Sequence, residues 1–284
     1  MAVESPRVAL IQFPGSNCEW ESRRAAETAG IACDVFRWNR PPTALSDYDG
    51  YIIGGGFSYQ DRVRSGAIAA KEPIVKAVFD QVTDHGKPII GICNGAQVLV
   101  ESGLVPGLTP GRVEMALAPN MPDPSGRIAQ FCCRWVYLKL ACAPERCVFT
   151  GGYQAGQVIP IPIAHGEGRF TTSDADVIAE IKANDQIAFQ YCDAEGNVDT
   201  SREVCPNGAL ANIAALCNPE GNVMAIMPHP ERASFLRQIP GDVAGEWGQE
   251  KLAAHGDLHA LNGAGPGLAV FVAMLEALKA RVPA

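Results

Sequence analysis

"GICNGAQ", residues 91–97, follows the apolar run Pro88-Ile89-Ile90 and runs into "VLVESG". A short apolar run that stops at glycine and resumes as helix formers predicts a buried strand turning directly into a helix. Glycines two residues before and two after Cys93 give G-x-C-x-G, the thiol counterpart of the G-x-S-x-G elbow. Such a turn strains the nucleophile's backbone, and neighbours at that distance must be small to avoid clashing. At the N-terminus of the following helix the dipole favours a thiolate. The N–H of Asn94 then points at any oxyanion that forms beside the sulfur. A buried cysteine whose glycines only permit tight packing has the same spacing, so the elbow alone leaves both readings open.

Upstream, strand-like and helix-like stretches alternate. "RVALIQF" (7–13) reads as a strand, and Asn17 as the N-cap of a helix over "EWESRRAAETAG" that ends at Gly30. "IACDVFRW" and "GYIIGG" read as second and third strands. "AIAAKEPIVKAVFDQVTDHG" is helical, interrupted at Pro73 and closed at Gly86, and "PIIGIC" is the fourth strand. Alternation of this kind predicts an α/β fold, an open and mostly parallel sheet of flavodoxin-like type flanked by helices. After residue 105 prolines and glycines multiply. The strand candidates there are "RWVYLKL", "CVFTGG", "VIPIPIA", "QIAFQYC", "LANIAALC" and "NVMAIMP", the last two forming a hairpin through "NPEGN". They read as extra antiparallel strands extending the parallel core. "SDADVIAEIKAND" is a helix capped by Ser173, residues 241–265 are loop-rich, and "GLAVFVAMLEALKARV" closes the chain as an amphipathic helix. With no linker-like segment, 1–284 reads as a single domain.

Composition excludes several classes. The 284 residues are 47% hydrophobic and 19% charged, enough for a sizeable core without staples. A formal charge of −8 with no basic cluster argues against nucleic acid. The N-terminus lacks a signal-peptide pattern, and the apolar run "LAVFVAML" falls far short of the roughly 20 residues a bilayer requires. A cytosolic location follows. Among ten cysteines, Cys132, Cys133, Cys142 and Cys147 come closest to a cluster, but without the paired C-x2-C spacing of zinc, so no metal is expected.

A nucleophilic thiol needs a base. Of five histidines, His85 ends a helix, while His255 and His259 lie in the loop-rich tail; all three read as surface. His229 differs. In "NVMAIMPHPER" it follows a strand, stands between two prolines that stiffen the chain, and precedes Glu231 by two residues. Glu231 can accept from one ring nitrogen, leaving the other to exchange a proton with Cys93. "YIIGGGFSY" supplies glycines after a strand, whose N–H groups can approach a ligand closely. In a doubly wound sheet that strand end shares an edge with Cys93, so Gly55 and Gly56 are candidate second oxyanion donors.

At these residues the chain resembles class I (triad-type) glutamine amidotransferases, and within them the glutaminase-subunit family of phosphoribosylformylglycinamidine synthase. The matching pieces are "FPGSNCEWE", "GGFSYQDRVRSGAIAA", "GICNGAQVL", "CRWVYLKL", "IPIAHGEGRF", "PNGALANIAALCNPEGNVMAIMPHPER" and "GLAVFVAML". The resemblance implies a cysteine thioester route from glutamine to glutamate and ammonia. Its triad would be Cys93, His229 and Glu231, and its oxyanion donors Asn94 with the Gly55–Gly56 turn. Gln97 would contact glutamine, and His165 and Glu167 would lie near the substrate or the ammonia route. It also implies a large synthetase partner that uses the ammonia, often with a small bridging subunit. No cofactor is implied in this chain; ATP and magnesium would sit on the partner. Gln60, Ala96 and Ala209 depart from the family's usual glycine, aromatic and serine, which bears on the shape of the glutamine pocket. Residues 237–264 read as an insertion. Two other classes compete. Cys-elbow peptidases or deglycases commonly place His after the nucleophile, where this chain has Asn94. A non-catalytic ligand-binding subunit would have no reason to keep three matched groups.

Overall fold

The computed structural model describes residues 5–122 and 131–281. In chain order the elements are β1 (Arg7–Gln12), α1 (Glu19–Ala29), β2 (Ala32–Arg37), β3 (Gly50–Ile53), α2 (Pro73–His85), β4 (Ile89–Ile92), α3 (Asn94–Glu101) and β5 (Ala116–Ala118). There follow β6 (Cys132–Leu140), β7 (Val158–His165), β8 (Arg169–Thr171), α4 (Ala175–Ala183), β9 (Ile187–Cys192), β10 (Ile213–Cys217) and β11 (Val223–Ile226). The last are α5 (Glu246–Ala253), α6 (Leu258–Leu261) and α7 (Leu268–Arg281).

Nine strands form one sheet in the order β2-β1-β3-β4-β11-β10-β9-β6-β7, and β5 pairs with β8 apart from it. The strands from β2 to β11 run parallel. From β11 outward every pairing is antiparallel, so the later strands extend a parallel core as the sequence predicts. Every residue of β3, β4 and β11 is buried, the signature of parallel strands covered on both faces. The main apolar core draws on residues from Val8 to Leu278, and α1 packs on α7.

Four local expectations are corrected. The N-cap of α1 is Cys18 rather than Asn17, whose side chain instead accepts from the Cys18 thiol at 3.2 Å. The cap of α4 is Asp174, not Ser173, because the Asp174 carboxylate accepts from the Asp176 N–H. "CVFTGG" is a turn: the Thr150 hydroxyl donates to the carbonyls of Pro144 and Cys147, a local pattern that competes with a strand. The stretch 241–265 carries α5 and α6. Lys251 ties α5 to the carbonyls of Leu236 and Arg237, and Leu236, Ile239 and Ala254 form a small core with Trp135 and Trp247. Glycine-rich sequence hid these helices, which are held by packing more than by propensity.

Candidate active site

Three adjacent parallel strands deliver the site to their shared C-terminal edge. After β3 come Gly54–Gly56, after β4 comes Cys93, and after β11 comes the His229 loop. Cys93 has φ +53° and ψ −104°, the strained turn that G-x-C-x-G predicts. Its N–H donates to the Ile226 carbonyl at 2.8 Å, locking the turn to β11. The glycines are sterically required. A methyl group at Gly95 would stand 2.0 Å from the Ile53 carbonyl oxygen, and one at Gly91 would stand 2.4 Å from that of Gly95.

Asn94 opens α3, where its N–H has no intrahelical acceptor. Its side chain binds the other wall: Oδ1 accepts from the Ser58 N–H at 3.1 Å, and Nδ2 donates to Gln97 Oε1 at 2.8 Å. The glycine turn and the helix N-terminus are thus pinned to each other. Among the described residues the Gly56 N–H has no acceptor, and Gly56 borders the cavity in front of Cys93. Gly55 does not border that cavity. It packs between the catalytic candidates: a methyl group there would lie 2.9 Å from His229 Cε1 and 3.5 Å from Cys93 Cβ. Imidazole and nucleophile therefore flank a single point.

His229 and Glu231 are buried, with His229 Nδ1 and Glu231 Oε1 2.6 Å apart. His229 Nε2 has no partner among the described residues. Burial opposes a charged ring, but the Glu231 carboxylate and a Cys93 thiolate outweigh it, and the His229 pKa stands well above its ordinary value. The arrangement suits a protonated imidazole beside Cys93, able to hand its proton to a leaving group.

The cavity in front of Cys93 measures about 120 Å³, and Gly56, Cys93, Gln97, His165 and Glu167 all line it. Gln97 donates from Nε2 to the Glu167 carbonyl at 2.7 Å, joining α3 to the loop after β7. His165 is buried, its Nδ1 3.1 Å from Asn120 Oδ1, and desolvation with the His229 charge lowers its pKa to about 4. It is neutral. Sequence motifs thus converge on one place, while His85, His255 and His259 are exposed at the surface.

Four contributors escaped the sequence reading. Cys18 touches Gly55, receives a hydrogen bond from Arg232 at 3.0 Å, and lies with His229 and Glu231 so that their ligand atoms fall within 4.8 Å. That trio could offer donors to a metal, but the guanidinium against the sulfur disfavours a cation. Asp61 lines the cavity, Asn120 orients His165, and Arg64 forms a two-pronged pair with the buried Glu101 that ties the 58–68 loop to α3. Asp61 lies inside a quoted motif, yet nothing in its spacing marks it. Its loop holds Tyr59, Gln60, Asp61 and Val63 at positive φ, which explains why glycine suits position 60.

A family model described as a CobB/CobQ-like glutamine amidotransferase domain matches residues 5–255. The phosphoribosylformylglycinamidine synthase subunit PurQ of Methanothrix thermoacetophila is 47% identical over 238 residues, covering 82% of this chain and 89% of that protein. The chain belongs to the PurQ family of glutamine amidotransferases. The PurQ of Saccharolobus solfataricus is 42% identical over 84% of this chain and 95% of its own length. Among solved structures, PurLQS from Thermotoga maritima aligns with TM-score 0.69 and 31% identity, over 97% of this chain and 100% of that one. The glutaminase domain of Trypanosoma brucei CTPS, solved with acivicin, shares the fold at TM-score 0.56 and 14% identity, covering 99% of this chain and 96% of that one. The glycine turn, the cysteine elbow and the His229 loop all fall within the segment matched to the amidotransferase domain. Among the described residues no helix is long and apolar enough to cross a membrane.

Proposed function

We propose that this chain is the glutaminase subunit of phosphoribosylformylglycinamidine synthase, releasing ammonia from glutamine for a synthetase partner. The Cys93 thiolate attacks the glutamine side-chain carbonyl carbon, and the oxyanion accepts hydrogen bonds from the N–H groups of Asn94 and Gly56. Protonated His229 gives its proton to the departing nitrogen, and ammonia leaves a thioester on Cys93. His229 then takes a proton from water, whose oxygen attacks the thioester to give glutamate and the free thiolate. Glu231 holds the ring through Nδ1. Ammonia passes to the synthetase subunit, which binds ATP and magnesium; a small subunit bridges the two. We read residues 1–284 as one domain in which 237–264 is an insertion.

The observation that carries this reading is the Cys93 turn at φ +53°, with an unpaired helix N-terminus on one side and a buried His229–Glu231 pair on the other. Substituting Cys93→Ala or His229→Ala is expected to reduce glutamine-dependent synthesis by the assembled complex by roughly 10³-fold or more. Ammonia-dependent synthesis survives. Loss of both activities together would assign these residues a structural role and refute the mechanism.

A further inference from the structure

A second cavity, of about 520 Å³, reaches the proposed catalytic pair separately from the one in front of Cys93: Glu231 lines it, and Cys93 and His229 do not. Its walls are α1, through Trp20, Glu21 and Arg24, and Phe235 from the segment after the His229 loop. Trp20 is 80% exposed and also borders a neighbouring cavity of about 350 Å³, so its indole stands between two hollows. A large aromatic held out in water between hollows has the form of an interface anchor.

The chain carries a formal charge of −8, yet the charge left over on this face is positive. Glu27 is paired with Arg23 at 2.7 Å, and Glu21 faces Arg232 at 3.6 Å. Among the described residues Arg24 has no hydrogen-bond or ion-pair partner, and Arg237 donates only to the neutral Asn262. Both guanidinium groups stack on the Phe235 ring, at 4.8 and 4.2 Å from its centre. Two like charges on one ring repel each other, and an outside anion relieves them. A second, independent observation lies at the floor. Glu231 is 1% exposed, and its Oε2 has no partner among the described residues. A buried carboxylate oxygen in that state calls for a donor.

We propose that this face of α1, together with Phe235, is the docking surface for an acidic segment of the synthetase subunit, and that docking is felt at His229 through Glu231. This rests on the glutaminase reading, in which the synthetase receives ammonia. The synthetase is favoured over a small bridging subunit because the hollow ends at Glu231, and the subunit that consumes ammonia is the one whose presence matters there. Arg232 carries the coupling. It faces Glu21 on the cavity wall, donates to Cys18 Sγ at 3.0 Å, and holds Nε 3.9 Å from Glu231 Oε1. A segment that pulls on α1 or donates to Glu231 Oε2 therefore acts on the carboxylate that holds the His229 ring at 2.6 Å.

The test uses the full-length chain and its full-length synthetase subunit. Trp20→Ala is expected to weaken their association by roughly 30-fold or more, the loss of a central aromatic anchor. Arg24→Glu should weaken it by about 10-fold at low ionic strength and by less as salt is raised, while Arg24→Lys stays near wild type. Ammonia release by each isolated variant should match that of the isolated wild-type chain, and saturating synthetase should raise release by the wild-type chain several-fold. Wild-type affinity in both Trp20→Ala and Arg24→Glu would overturn the proposal. So would weakened binding to the small subunit alone, or release by the wild-type chain that the synthetase leaves unchanged. Hydroxyl-radical footprinting of the wild-type chain reads the same surface without any substitution. Trp20 should lose most of its oxidation when the synthetase is added, and unchanged oxidation would overturn the assignment. A wild-type complex that forms but releases no ammonia from glutamine refutes the glutaminase reading itself, while protection at Trp20 still decides the surface.

Discussion

Replacing Gly55 by alanine inserts one methyl group between the groups proposed to react. Gly55 is not in the left-handed region, so its backbone accepts alanine and the effect is steric. The new Cβ would stand 2.9 Å from Cys18 Sγ and 2.9 Å from His229 Cε1. Non-bonded carbon atoms rest at about 3.5–4.0 Å, so sulfur and ring must each retreat by roughly 0.6 Å or more. His229 is held between its hydrogen bond to Glu231 and a backbone N–H that donates to the Pro162 carbonyl at 2.8 Å, and can move only by turning its ring away from Cys93. Misplacement on the ångström scale costs about 100-fold in rate. A fall in kcat/KM for glutamine of about 10- to 100-fold is therefore expected, with a stability loss of about 1–3 kcal/mol from overpacking. The assay is glutamine hydrolysis by the assembled complex beside urea denaturation of the same variant. Adding Cys18→Ala removes the opposing sulfur, lets the methyl tilt away from the ring, and should restore part of the rate. A Gly55→Ala variant with kcat/KM within about twofold of wild type would refute the claim that imidazole and thiol flank this point. So would a loss of rate that Cys18→Ala leaves wholly unrelieved.

Two further outcomes follow from buried charge. His165 is held neutral with a pKa of about 4, while the unfolded chain binds that proton near 6.5. Below pH 6.5 the unfolded state therefore takes up more protons, and stability falls as pH drops from about 6.5 to 4, by roughly 2–3 kcal/mol at pH 4.5. His165→Gln should flatten that part of a urea-denaturation pH series; an unchanged slope would reject the assignment. Arg64→Ala leaves the buried Glu101 carboxylate without its partner. Because the guanidinium is half in solvent, the expected loss is about 1–2 kcal/mol, below the value for a fully buried pair. Arg64→Ala with Glu101→Gln should recover most of it in the same melt, and a double variant no better than the single one would show that the pair is not the cause.

The chain order of strands and helices through Cys93, and the residue types of the proposed triad that the structure brings together, were legible in the sequence because both depend on local rules. Apolar runs bounded by glycine and proline mark parallel strands, and an elbow needs small residues two positions away on each side, a demand met within five consecutive residues. The H-x-E hook was equally local. Caps were misplaced by one residue at Cys18 and Asp174, since the donor that decides a cap depends on the exact turn of the chain. Only the tertiary structure could place Cys18, Asp61, Asn120 and Arg64 in or around the site. Their partners lie from tens to more than two hundred residues away, and hydrogen bonds across such separations leave no periodicity behind. The helices in 241–265 were hidden for the same reason: they owe their form to an apolar contact with Trp135 on a distant strand, a force that local propensity does not contain.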